Sequence, residues 1–207
     1  MPIFAIIVAL LPLTAKSANM LSESPANQGW LEKSFSGNTL YTLETIDNTQ
    51  VVKGHAVGSA SALYRNEKID VSSTPILSWR WKVSNVFENT QEKQKSGDDF
   101  PARLYVVYQK GFFKWSTVAI NYVWSSQYPV GESWNSAYTK KSKIVVLQSG
   151  SPTPEGWVKE RRNIVDDFKR YFDLDVSRLN GYALMVDGDN TGSSATGWFA
   201  DITFSKE

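Results

Sequence analysis

The 207-residue sequence contains no cysteine. Disulfides, zinc–thiolate sites and thiol nucleophiles are thereby excluded. It has a single histidine, His55, in a run where Lys53 and His55 alternate with Val52 and Ala56. One imidazole cannot form a histidine metal cluster, and no serine nucleophile motif stands beside it to suggest a catalytic triad. His55 therefore reads as a structural or surface residue. An excess of charge is also missing: Lys and Arg total 22, Asp and Glu 21, and the formal net charge is +1. Nucleic-acid binding needs a basic surface, so that partner class is set aside. No glycine-rich loop precedes a helix, which removes nucleotide binding. No apolar run reaches the roughly 20 residues that a membrane-spanning helix requires.

Residues 3–13 form an apolar run of signal-peptide length, and small residues follow, with a cleavage point after Ala15-Lys16-Ser17. No Lys or Arg precedes the run, so its alternatives are a start further upstream, a retained anchor or a buried core segment. The expected organisation is a signal peptide over 1–17 and one β-sandwich domain over 18–207, placed in the periplasm or at the cell surface. Without disulfides, such a domain is held by its core alone. A chain of this length can build one core and hardly two.

What is plentiful is aromatic side chains: Trp 8, Tyr 9, Phe 10. They fall in short runs of alternating character. Residues 30–45 predict a pair of strands joined at Gly37-Asn38. Residues 51–57 and 59–64 predict two more, broken at Gly58. In 76–83 (I-L-S-W-R-W-K-V), Leu77, Trp79, Trp81 and Val83 share one face, and Ser78, Arg80 and Lys82 the other. Further strands are expected over 103–108, 116–125, 143–148, 157–163, 181–186 and 197–204. Residues 64–73, 85–97 and 126–139 predict loops. Loop 85–97, rich in Gln, Glu and Lys, lacks the apolar content to bury much and is expected to be mobile. One helix is predicted after Asn163, where Ile164, Val165, Phe168, Tyr171 and Phe172 have helical spacing and Asp166 and Asp167 suit the positive end of the helix dipole. About ten short strands and one short helix predict an all-β fold, an antiparallel β-sandwich of jelly-roll style, with a flattened barrel as the alternative.

Four constellations could carry chemistry. In S-G-D-D-F-P-A-R-L-Y-V-V-Y (96–108), Asp98 and Asp99 precede Arg103. Adjacent side chains of an extended turn point apart, so the two acids do not make a shared-proton dyad. One is expected to pair with Arg103 and the other to face a ligand or to pin the loop. Asp187, Gly188, Asp189 and Asn190 resemble the start of a calcium loop, whose oxygen-only ligands would select calcium. The later glutamate of the EF-hand is missing, and an Asx-rich turn explains the segment as well. Glu160 and Arg162 share a strand face. Buried together they would need partners, for which Asp98, Asp99 and Asp187 are candidates for Arg162, whereas on an edge strand they would be solvated. Among the aromatics Trp115, Tyr122, Trp124, Tyr128, Trp134 and Tyr138, core positions are expected for Tyr122 and Trp124. Trp134 and Tyr138, in a polar loop, are the ligand candidates. Asn121, on the face opposite Ile120 and Tyr122, completes the set.

The segments G-D-D-F-P-A-R-L-Y-V-V-Y (97–108), I-N-Y-V-W-S (120–125), V-L-Q-S-G (146–150), W-V-K-E-R-R-N-I-V-D-D-F (157–168) and V-D-G-D-N-T-G (186–192) together resemble the bacterial domain-of-unknown-function family 3047. The resemblance runs from about Trp30 to Phe204 and implies an exported, single-domain bacterial protein. It supplies no activity. The outline is similar to carbohydrate-binding sandwiches, which is analogy of fold.

The expected site is a charged cleft of Asp98, Asp99, Arg103, Asn121, Glu160, Arg162, Asp187, Asp189 and Asn190, walled by Trp134 and Tyr138. Its expected ligand is a glycan or another polar molecule, with no cofactor other than calcium at Asp187–Asn190. A glycan hydrolase or lyase would instead use Glu160 against Asp99 or Asp187, at about 5–5.5 Å for retention or roughly 6.5–9.5 Å for inversion. The third expectation is a structural clamp in a protein that docks a partner.

Overall fold

The computed structural model describes residues 24–88, 91–111, 116–152 and 156–207. The signal segment and Trp115 lie outside the described residues. In chain order the elements are β1 (Leu31–Ser36), β2 (Leu40–Ile46), β3 (Thr49–Val57), β4 (Ala60–Arg65), β5 (Ile69–Asp70), β6 (Ile76–Val83), β7 (Arg103–Gln109), β8 (Thr117–Ser125), β9 (Ser133–Asn135), β10 (Ser142–Ser149), β11 (Val158–Asn163), α1 (Ile164–Phe172), β12 (Arg178–Leu179), β13 (Gly181–Asp187) and β14 (Ser194–Ser205). A seven-stranded sheet has the order β1-β4-β13-β7-β8-β10-β9, and a five-stranded sheet the order β11-β6-β14-β3-β2. They pack as an all-β, jelly-roll-like sandwich with one helix.

The core lies where the two inner faces meet. β6 contributes Trp79 and Trp81 to it, with ring centroids 5.5 Å apart and edge to face. Trp79 meets Tyr122 of the opposite sheet at 5.6 Å, and Trp81 meets Trp124 at 6.0 Å. All four are at most 1% exposed, as the alternation of β6 and β8 requires and as expected for Tyr122 and Trp124. Rings of this size dominate the buried area, and offset or edge-on pairing adds about 0.5–1.5 kcal/mol for each pair. The indole N–H groups of Trp81 and Trp124 donate to Glu160 Oε1 (3.1 Å) and Gly150 O (2.8 Å).

Three expectations are corrected. β1 and β2 are not partners: β1 pairs with β4 and β2 with β3, on opposite sheets. The chain crosses between sheets at 37–39 and again at 58–59, and β2 turns into β3 through Asp47 and Asn48, both at positive φ (49° and 59°). That two-residue turn follows strand twist. Second, the pairing is not wholly antiparallel, because β10 runs parallel to β8. The chain between them is long enough to return to the same end and carries β9, inside the segment expected to be a loop. Third, the described residues of loop 85–97 are anchored. Phe87 and Glu92 are buried, and Glu92 accepts from Ser125 Oγ (2.5 Å) and Ser126 N (2.6 Å). Low apolar content did not prevent burial because donors at the end of β8 satisfy the glutamate.

Helix α1 begins as expected. Asn163 Oδ1 accepts from the backbone N–H of Val165 (3.1 Å) and Asp166 (3.3 Å), satisfying two of the donors a helix start leaves open.

A candidate ligand cleft on the outer face of the seven-stranded sheet

Strand alternation turns Arg103, Tyr105 and Val107 of β7 to the outside of the seven-stranded sheet, opposite the core-facing Leu104 and Val106. Register sets Arg103 beside Met185 of β13 and Tyr105 between Ala183 and Asn121. On one side, loop 126–139 folds over this face. Trp134 and Tyr128 cover a small apolar cluster of Phe100, Val123, Ile144 and Val146. On the other side, β1 rises as an edge strand. A groove is left between them.

Arg103 is the hub of the charged floor. Its Nε donates to Asp187 Oδ1 at 2.7 Å and its Nη2 to Asp187 Oδ2, a bidentate pair. Nη1 reaches Asp98 Oδ1 at 3.4 Å, Nη2 also donates to the Asp98 carbonyl, and the guanidinium lies 4.4 Å from the Phe100 ring centre. Planar bidentate geometry suits a buried carboxylate better than a lysine would. Asp98, Arg103 and Asp187 are all buried. Burial pushes the Asp187 carboxyl up to about 7, with Asp99 and Asp98 adding like charge and Arg103 opposing. Burial also raises Asp98 and Asp189. Three acids draw on one guanidinium, which cannot neutralise all of them.

Asp99 has a different task. It is fully buried and accepts from Asn190 N (3.3 Å), Asn190 Nδ2 (3.0 Å) and Thr191 N (2.7 Å). It thereby holds the 188–193 turn, which closes through Ser193 N to Gly188 O at 2.9 Å. A Cβ on Gly188 would lie 2.4 Å from Ser193 O, so this turn accepts only glycine there. Asn190 in turn accepts from the hydroxyl of Tyr138 (2.9 Å), whose exposed ring also carries Lys95 Nζ at 5.3 Å.

Over these residues lies an open cleft of about 480 Å³. Asp98, Arg103, Asn121, Tyr138, Asp187, Asp189 and Asn190 of the expected set line it, joined by Phe35, Tyr105, Ser136, Thr139 and Ser142. A second hollow of about 430 Å³ shares Phe35 and Tyr105 with it and continues along the sheet past Tyr64, Lys33 and Arg65. Asn121 is 1% exposed, yet its Oδ1 has no hydrogen-bond partner among the described residues. A buried amide oxygen without a donor costs about 1–3 kcal/mol, and Asn121 is one of the residues that line the cleft.

The remaining expected residues lie elsewhere. Trp134 packs on Tyr128 (5.1 Å) and Phe100 (6.5 Å), behind the cleft wall. Glu160 sits between the sheets and accepts from Trp81 Nε1 and Gln148 Nε2 (2.7 Å). Arg162 pairs with Asp167 of α1, not with Asp98, Asp99 or Asp187. Both belong to β11, which pairs with β6 in the other sheet. Glu160 therefore does not face Asp99 or Asp187 across a cleft. His55 is on the outer face of the five-stranded sheet, bonded to Thr196 Oγ1 at 2.9 Å. Tyr105 was legible as the second residue after Arg103 on one face. Phe35, Ser136 and Ser142 carried no local signal, because only the tertiary fold brings them in.

Carboxylate oxygens of Asp99, Asp187 and Asp189 lie within 4.8 Å of one another. The donors around them do not fit a calcium ion. Asp187 is taken bidentately by Arg103, Asp99 is taken by the three N–H groups of the turn, and the guanidinium would repel a neighbouring cation.

A family model described as a protein of unknown function, DUF3047, matches residues 28–203. The chain belongs to this family. No curated protein sequence matches it. Among solved structures, a thermostable cellulase derived from a cellulase of Rhodothermus marinus aligns with a TM-score of 0.51 at 10% identity, over 90% of this chain and 95% of that one. The xyloglucanase domain of a type three effector from Sinorhizobium fredii aligns at 0.41 and 12% identity, over 91% and 99%. A carbohydrate-binding module of the β-sandwich superfamily aligns at 0.41 and 8% identity, over 90% and 61%. At such identities the first of these likenesses shows a common fold. Among the described residues, no helix is long and apolar enough to cross a membrane.

Proposed function

We propose that this DUF3047 protein is an exported glycan-binding module whose site is the groove on the outer face of the seven-stranded sheet. The observation that carries the reading is Asn121: a buried amide whose Oδ1 has no partner among the described residues, on a side chain lining an open cleft beside an aromatic residue. Sugar rings present apolar faces and hydroxyl donors together. Phe35, Tyr105 and Tyr138 supply flat apolar surface, while Asn121, Asp98 and Asp189 supply acceptors. A pre-formed concavity with a few convergent polar groups is the expected form of a small-ligand site. The sandwich shared with a cellulase is compatible with this, as analogy of fold.

A hydrolase receives less support. Asp98, Asp187 and Asp189 stand together rather than opposite one another, and Glu160 is held between the sheets. The test is an oligosaccharide array followed by calorimetry on the chain without residues 1–17. Binding that Asn121→Ala and Tyr105→Ala each weaken by about tenfold supports the reading. No binding across neutral, amino and acidic sugars would refute it.

A further inference from the structure

The two halves of the groove differ in charge. Among the described residues, the half beyond the shared Phe35 and Tyr105 is lined by Lys33 and Arg65 with no acid. Among the described residues, the other half is lined by Asp98, Asp187 and Asp189 against Arg103 as the one cation. Arg103 is spent on Asp187 and Asp98. Asp189 is only part-buried and makes no ion pair among the described residues; it accepts the Asn190 amide at 3.3 Å. The acid half thus holds more acceptors than donors. Asn121 is an independent sign of the same shortage, since it lines the same cleft and its Oδ1 is a buried acceptor without a donor among the described residues.

A ligand that matches this half brings donors and positive charge. A hydroxyl offers one donor, whereas an ammonium group offers three and no acceptor. A uronate brings further acceptors and negative charge, which Asp189 would repel. We propose that the groove selects a glycan carrying a free, protonated amine, placed at the acid end with Asp189 as its carboxylate partner and Asn121 Oδ1 accepting from the same sugar. This deepens the glycan-binding reading and rests on it. Direction follows as well: the amine-bearing residue enters at the Asp189 end, and the rest of the chain runs past Tyr105 toward Lys33 and Arg65.

The test is calorimetry with an N-acetylglucosamine tetramer freed of one terminal acetyl group (the glucosamine tetramer), its fully N-acetylated counterpart and a galacturonate tetramer, at mildly acidic pH, with calcium chloride alone as a fourth titrant. The glucosamine tetramer is expected to bind at least about tenfold tighter than the acetylated one, since hydrogen bonds to charged groups are the stronger kind. The uronate is expected not to bind. That preference should shrink with added salt. In Asp189→Asn, whose unaltered melting temperature would show that it is folded, the two neutral-backbone tetramers should bind alike. Equal affinities in the wild type, a preference that survives Asp189→Asn, or calcium displacing the amine would each overturn the amine assignment while leaving glycan binding in place. Failure of all the sugars would overturn both.

Discussion

Arg103 and Asp187, 84 positions apart in sequence, meet through a two-point ion pair with Nε to Oδ1 at 2.7 Å, and both are almost wholly buried. The pair ties β7 to the last residue of β13, and Asp187 also accepts from Phe100 N at 3.3 Å. Breaking a buried pair costs more than the pair is worth, because one charge is left behind. Arg103→Met is therefore expected to lose about 3–5 kcal/mol of stability at neutral pH, measured by denaturant unfolding. Arg103→Met with Asp187→Leu is expected to recover part of that loss, the rest falling to Asp98, which loses its partner in both variants. A double variant as unstable as the single one would show that the pair is not the cause.

Asn121 should behave in the opposite way. Its Oδ1 gives up no hydrogen bond to the described residues on removal. Asn121→Leu is expected to leave stability within about 1 kcal/mol of wild type or to raise it, since an unsatisfied buried acceptor disappears. Binding of any cleft ligand should fall in the same variant. A destabilisation beyond 1 kcal/mol, on the order of a lost buried hydrogen bond, would mean that the amide oxygen has a protein partner after all.

The acid cluster predicts the pH response of the empty protein. Asp187 titrates near 3.8 when unfolded and is pushed up to about 7 when folded, first by burial. The folded chain then binds more protons than the unfolded one, so this group favours folding below its unfolded value, and that contribution is lost as pH rises through its folded value. The melting temperature is expected to decline between about pH 4 and 7 on this account. Asp98→Asn removes a like charge and should flatten the upper part of that decline. Calorimetric scans of both proteins across the range check it, and a steeper decline in the variant would contradict the assignment.

Asp167 is the counterpart of the cluster on the helix side. It is buried, receives the Tyr122 hydroxyl at 2.6 Å and Arg162 Nε at 2.9 Å, and so ties α1 to both sheets. Asp167→Ala leaves Tyr122 and Arg162 without their acceptor and is expected to cost about 3 kcal/mol. Asn163→Ala, which removes only the helix cap, should cost about 1 kcal/mol. Neither should alter ligand binding, because both stand outside the groove. Urea unfolding and calorimetry on the two variants separate these effects.

Much of the strand pattern was legible, because alternation is a local property. Trp79, Trp81, Tyr122 and Trp124 were placeable in the core from their neighbours alone. What alternation does not encode is sheet membership. It tells which way Glu160 and Arg162 point, but not that β11 lies beside β6, away from Arg103. The Arg162–Asp167 pair was within reach of sequence reasoning, since only five positions separate the two residues. Asp98 with Arg103 was legible for the same reason. Phe35 and Ser142 entered the cleft through pairings of β1 with β4 and of β10 with β8, and no local rule announces those.

Strand β1 supplies Phe35 and Lys33 to the groove, yet each of its residues is exposed, and it is hydrogen-bonded to the sheet along one side only. Little apolar burial and a single ladder make it an element with a low cost of local opening. Its amides should exchange with solvent faster than those of β7 or β13. The groove then has one rigid bank, built on the Arg103 hub, and one bank that breathes. Ligand bound against Phe35 would slow exchange in β1 selectively, making that strand the natural reporter of occupancy.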